Sequence, residues 1–207
     1  MVDTVKAPRP TYRQEQADAT KVRIADAAQQ LFATRGYATT SMDAIAREAG
    51  VANRTVYAAF GAKRHILSLI CERWLERAGA RPLAAAILEE PDPEARLRAA
   101  AGWLTTLYST DFDVVRILDA ALDEDDETRD LLRAKLRGRN RVMDQLITSV
   151  QEQLSIPLAD ATAIFRAYAA AGVYGELVVD SGWPPERFQE WLARTLVGQL
   201  LAGAPPA

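Results

Sequence analysis

Asn53, Arg54, Thr55 and Tyr57 stand together in one short stretch and carry side chains that nucleic-acid chemistry can use. The guanidinium of Arg54 offers two parallel donors to the N7 and O6 of guanine, a contact that discriminates against a wrong base by about 1–3 kcal/mol. The amide of Asn53 either reads adenine or caps the helix that it begins. The hydroxyls of Thr55 and Tyr57 suit phosphate oxygens, and Lys63 adds charge near a helix start where the dipole already favours an anion. Arg64 is a further phosphate contact, as is Thr40 or Ser41 if its hydroxyl is not taken up in capping. Ala58 offers only a methyl, which fits the methyl of thymine.

These groups work together only if a rigid element holds them, and residues 40–63 read as a helix-turn-helix. Met42, Ile45, Ala46 and Ala49 recur at helical spacing, while Arg47 and Glu48 point outward. Thr40 is placed to cap this first helix, and Asp43 adds a carboxylate at its positive end. Gly50 supplies a left-handed residue for the turn and Val51 an apolar plug. In the second helix Val56 and Phe60 lie four apart on the inner face, which leaves the polar residues near its N-terminus outside, where a recognition helix meets the major groove.

The sequence of these residues resembles the TetR family of bacterial transcription regulators. The resemblance lies in Thr40-Ser41, Ile45-Ala46, Ala49-Gly50-Val51, Thr55-Val56-Tyr57, and Phe60 followed three residues later by Lys63. Upstream it takes in Arg23, Ile24, Ala27, Ala28, Leu31, Phe32 and Gly36, and downstream Ile66 and Leu67, so that it spans residues 20–80. It implies an all-α protein with a three-helix DNA-binding domain and a helical ligand-binding and dimerisation domain, with repression of an operator relieved by a small molecule. It also implies a homodimer paired through the last two helices. Activation in place of repression stays open, as does a helical ligand- or partner-binding protein with an unused DNA motif. Ala52 departs from the family pattern, which commonly has a capping serine there.

Composition narrows the alternatives. The net charge is −3, yet residues 1–70 hold 10 Lys and Arg against 6 Asp and Glu, a surplus of four, while the remainder carries 15 against 22. A module that meets phosphates, attached to a body that does not, has this asymmetry. No apolar run nears the roughly 18 residues that span a bilayer, and charged and proline residues occupy the N-terminus, so no membrane association and a cytoplasmic location are expected. Cys71 and His65 are the only residues of their types, which leaves no structural zinc site; no metal or other cofactor is expected. The single histidine and the lack of a glycine-rich phosphate loop or paired carboxylates argue against an enzyme.

Along the chain, residues 1–19 read as a flexible basic arm with Lys6, Arg9 and Arg13, either a disordered tail or a reach into the minor groove. Residues 20–80 form the DNA-binding domain with a linking helix, and 81–207 the second domain. Helices are expected at about 20–35, 63–81, 93–109, 112–123, 126–154, 158–180 and 185–202, about nine in all with the pair of the motif. Pro82, Pro91 and Pro93 should interrupt or restart helices. Tyr168 to Gly175 reads as one thin helix, and Leu192, Leu196, Val197, Leu200 and Leu201 as an apolar face for a twin subunit. For the ligand pocket that the resemblance implies, Trp103, Leu107, Tyr108, Phe112, Met143, Phe165, Tyr168 and Tyr174 are the candidate walls, with Asp119 as a buried acid that orients an apolar or aromatic ligand. Cys71 reads as core, and the basic series from Arg133 to Arg141 spreads around its helix without marking a site.

Overall fold

The structure, a computed structural model, describes residues 11–201 and divides into two compact units, Met1–Ile70 and Cys71–Ala207. Among the described residues there are eleven α-helices and no β-strand. None of these helices is long and apolar enough to cross a membrane.

The first unit comprises α1 (Tyr12–Arg35), α2 (Met42–Glu48), α3 (Asn53–Phe60) and the first half of α4 (Lys63–Arg77). Ile24, Ala28, Leu31 and Phe32 of α1, Ile45 of α2, Val56 of α3 and Ile66, Leu67 and Ile70 of α4 are all buried. Helix α1 begins at Tyr12, earlier than expected, so residues 12–19 are its first turns and not part of an arm. Those turns bury nothing before Ile24, which is why they show no apolar period. Arg13 lies on them, while Lys6 and Arg9 fall outside the described residues.

The second unit continues with α5 (Ala80–Leu88), α6 (Pro93–Thr110), α7 (Phe112–Ala121), α8 (Asp126–Thr148), α9 (Leu158–Tyr168), α10 (Ala171–Tyr174) and α11 (Pro185–Leu200). Asp92, Asp111 and Asp125 cap α6, α7 and α8, accepting from the backbone N–H of Ala95 (2.8 Å), Val114 (3.3 Å) and Thr128 (2.8 Å). Each such cap is worth about 1 kcal/mol. Helix α6 packs along α11, and Leu97, Leu104 and Leu107 are buried with Phe188, Leu192, Leu196 and Leu200. Gly102 permits this approach, since a Cβ there would lie 3.2 Å from Nε2 of Gln189.

Two expected long helices are broken, which accounts for eleven in place of about nine. The helix expected over 63–81 stops at Arg77, because Gly79 is left-handed (φ +59°), and Pro82 then sits harmlessly in the first turn of α5. The helix expected over 158–180 stops at Tyr168; Ala170 is extended (φ −66°, ψ 138°), and after α10 the chain widens into a π-helical segment, Gly175–Asp180. Helix α8 likewise ends at Thr148, short of 154, before a 3₁₀ turn over Gln151–Gln153. The apolar face expected to meet a twin subunit is consumed within the chain: Leu192, Leu196, Val197 and Leu200 are buried, and Leu201 bridges to Leu154.

Candidate nucleic-acid interface and ligand cavity

Helices α2 and α3 form the motif of the first unit. Ser41, and not Thr40, caps α2, its hydroxyl accepting from the N–H of Ala44 at 3.2 Å. Thr40 is buried and donates to the carbonyl of Gly36 at 2.8 Å, so its hydroxyl faces the protein and not a phosphate. Gly50 takes the left-handed turn (φ +64°), after which the N–H of Val51 returns to the carbonyl of Ala46 at 3.0 Å. Asp43 lies in the first turn of α2 and accepts a hydrogen bond from the side-chain amide of Asn53.

That bond decides the role of the Asn53 amide within the protein. The cap position of α3 is Ala52, which makes no side-chain bond, so Asn53 does not cap; it ties the start of α3 to α2. Val56 is wholly buried and Phe60 partly so, and the opposite face turns outward. Arg54, Tyr57 and Ala58, at positions i, i+3 and i+4, share that outer face and are exposed, Tyr57 by 50%. Thr55 is half-buried beside them.

Lys63 is placed differently from the expectation. Its ammonium donates to the carbonyls of Tyr37 (2.5 Å) and Ala38 (3.2 Å) and lies 4.2 Å from the centre of the Tyr37 ring. The charge therefore latches the start of α4 to the chain beyond α1. Arg64 is half-buried and partnered within the protein. His65 donates through Nδ1 to the carbonyl of Phe60 at 2.7 Å, which closes the turn after α3.

The second unit contains a cavity of about 420 Å³ between α4, α6, α7, α8 and the broken stretch after α9. Of the expected walls it takes Tyr108, Met143 and Asp119, and Asp119 is exposed, not buried. Trp103 instead donates from Nε1 to the carbonyl of Ala80 at 2.8 Å, and Leu107 and Phe165 are wholly buried core. Phe112 and Tyr174 belong to an aromatic cluster with Phe188, with ring centroids 4.9–5.0 Å from Tyr174. Tyr168 accepts from Gln199 at 2.9 Å and stands edge-on to Trp191.

The remaining walls were not legible as a set. Trp74 of α4, fixed by a 2.8 Å bond from Nε1 to the carbonyl of Leu107, is joined by Val115 and Leu118 of α7 and by Leu122 just after it. Leu136, Arg139 and Asn140 come from α8, and Arg166 and the backbone of Ala169 to Gly172 close the far side. Arg139 thus corrects the reading of the basic series of α8 as featureless. Burial raises the pKa of Tyr108, opposed by the nearby Arg139 guanidinium and reinforced by Asp119. Burial likewise pushes the Cys71 thiol up to about 11, against the pull of Arg139. Among the described residues no group of His, Cys, Asp and Glu is placed to hold a metal ion.

Residues 24–70 match the family described as bacterial regulatory proteins, tetR family. No curated protein matches the chain in sequence. Similar solved structures include the transcriptional regulator FadR from Bacillus subtilis in complex with stearoyl-CoA (TM-score 0.70, 20% identity, 85% of this chain and 97% of that one). A putative transcriptional regulator from Saccharomonospora viridis in complex with choline has a TM-score of 0.69 at 20% identity, covering 89% and 98% of the two chains. NalD, the secondary repressor of the MexAB-OprM multidrug efflux pump in Pseudomonas aeruginosa, has a TM-score of 0.69 at 21% identity, covering 91% and 99%. Likeness at this level of identity is one of fold.

Proposed function

We propose that this chain, a bacterial regulator of the tetR family by its residues 24–70, is a homodimeric repressor that leaves its operator when a small molecule fills the cavity of its second unit. One observation carries the DNA-binding part: Arg54, Tyr57 and Ala58 stand exposed on the outer face of α3 while Ser41 is spent on capping α2 and Asp43 and Asn53 on tying α3 to α2. Arg54 reads guanine, Ala58 meets a thymine methyl, and Thr55 and Tyr57 position the helix on phosphates. The operator is a palindrome with half-sites about 34–36 Å apart or a multiple of that distance.

Dimerisation uses what the intrachain core leaves over. Trp191, Thr195 and Gly198 form a half-buried stripe on α11, next to Tyr168 of α9. An isologous contact through this stripe gives the two-fold symmetry that a palindrome requires. Ligand binding acts as a population shift between two arrangements of the pair, since the cavity is walled by the break that ends α9. Stearoyl-CoA and choline, bound by the two relatives, share no chemistry, so the fold does not name the effector.

The test is binding of the purified protein to DNA upstream of its own gene and its neighbours across a salt series, beside a double variant Arg54→Ala, Tyr57→Ala. Sequence-dependent binding that the variant loses supports the reading. Equal affinity for random DNA with both proteins means that the motif is unused and that the chain acts on a partner or ligand alone.

A further inference from the structure

Helix α8 turns an apolar stripe inward: Leu132 is wholly buried, Leu136 half-buried, and Met143, Leu146 and Ile147 are buried again. Helical spacing puts residue 139 between Leu136 and Met143 on that stripe, and the sequence has Arg139 there, half-buried, with Asn140 exposed beside it. Both line the cavity. Arginine at an inward position sacrifices apolar burial and part of its own hydration, which is costly unless a counter-charge restores it.

No carboxylate pairs directly with Arg139, although Asp119 lines the same cavity. Lys135 pairs with Glu72, Arg129 with Asp126 and Arg166 with both oxygens of Asp144, whereas among the described residues Arg139 has no carboxylate within 4.0 Å. Its side chain bonds weakly to its neighbour Asn140 (3.4 Å) and lies against the Tyr108 hydroxyl. That hydroxyl already donates to the carbonyl of Ala169 and so faces Arg139 as an acceptor only. With Nε and Nη2 only weakly engaged by Asn140 and one bond given to Tyr108, the remaining N–H groups of the guanidinium are open to a molecule in the cavity.

We propose that the cavity takes a small carboxylic acid with an apolar body, its carboxylate held by the fork of Arg139 and its body lying on Trp74, Leu118 and Met143. A planar fork meets a carboxylate with two parallel bonds, which makes the group selective for that anion over a neutral polar head. At a water-like 30 Å³ for each non-hydrogen atom, 420 Å³ holds about 14 such atoms. The volume therefore suits a medium-chain or single-ring acid. Asp119, at the rim of the same cavity, turns away acids with a second negative group.

This assignment rests on reading the second unit as the effector domain, but its test needs no DNA. Calorimetry of the full chain would use decanoate, 4-phenylbutyrate and indole-3-acetate, each beside its uncharged primary amide. At least one acid should bind tenfold or more tightly than its amide, and Arg139→Met should erase that difference. Arg139→Lys, which keeps charge but not the fork, should restore part of the preference, and thermal melting would check that both variants fold. Amides bound as tightly as acids, a preference that survives in Arg139→Met, or no binding by any of the acids would each overturn the assignment. Loss of operator binding in an otherwise acid-binding protein would instead count against the regulatory reading alone.

Discussion

The hydroxyl of Tyr108 on α6 donates to the carbonyl of Ala169, the residue at which α9 stops. Both residues are buried. In an unbroken helix that carbonyl would receive the N–H of Val173, which instead donates to Ala170 at 3.1 Å. A side chain of one helix thus replaces the rung missing from another, and the break becomes a wall of the cavity.

Tyr108→Phe keeps the ring and strands the Ala169 carbonyl. A buried group left unpaired costs about 1–3 kcal/mol, and for a chain of this size each kcal/mol lowers Tm by about 2–4 °C. Thermal denaturation followed by circular dichroism should show a fall of several degrees. An unchanged Tm would mean that the break is held by other contacts.

Lys63→Met should act on stability and not on phosphate binding. Its bonds to the carbonyls of Tyr37 and Ala38 and its place over the Tyr37 ring are worth about 1–2 kcal/mol together. Denaturant unfolding should shift by that amount, with the salt slope of DNA binding unaltered. A slope reduced by about one unit, with stability unchanged, would restore Lys63 to the phosphate contacts.

Cys71 is expected to contribute to an alkaline limit of stability. Its thiol pKa is raised from 9.0 to about 11, so the neutral thiol is favoured in the folded state. The stability this represents is fully present below pH 9 and is lost as pH rises through about 11, up to about 2–3 kcal/mol. Cys71→Ala should be less stable at pH 7 from lost packing yet flatter between pH 9 and 11 than the parent protein. Parallel pH curves would show that other groups set the alkaline limit, among them Tyr108, whose pKa burial also raises.

Under the proposed dimer, neighbouring positions on α11 separate the subunit contact from the core. Thr195 is half-buried and Leu196 wholly buried. Thr195→Arg should yield a folded monomer in sedimentation velocity, whereas Leu196→Arg should fail to fold. A Thr195→Arg dimer would move the subunit contact elsewhere on the second unit.

What the sequence disclosed follows from how local each determinant is. The motif was readable because Gly50, Val56 and Phe60 act through neighbours in the chain, and the left-handed Gly50 needs no distant partner. Ser41 and Thr40 were confused because both carry hydroxyls at a plausible cap, and only the bond from Thr40 to Gly36 separates them. The broken α9 runs against propensity: an alanine-rich run favours helix, and the carbonyl freed at the break is met by a tyrosine 61 positions away. Aromatic residues were expected at the cavity because they often line ligand sites, yet Phe112 and Tyr174 stack with Phe188 instead. Arg139 was passed over because charge was counted around the whole helix and not against its apolar stripe.

The segment Gly175–Asp180 closes its rungs over five residues, as the 2.9 Å bond from Ser181 to Glu176 shows, where an α-helix closes them over four. Such a coil carries one residue of slack in each turn. A deletion of one residue there can be absorbed by tightening to α-helical rungs, with both ends of the segment staying in place. The same deletion in α11 would rotate every later side chain by about 100° and unseat the buried leucines from α6. The stretch between α10 and α11 is therefore a place where the chain can lose a residue without renegotiating its core.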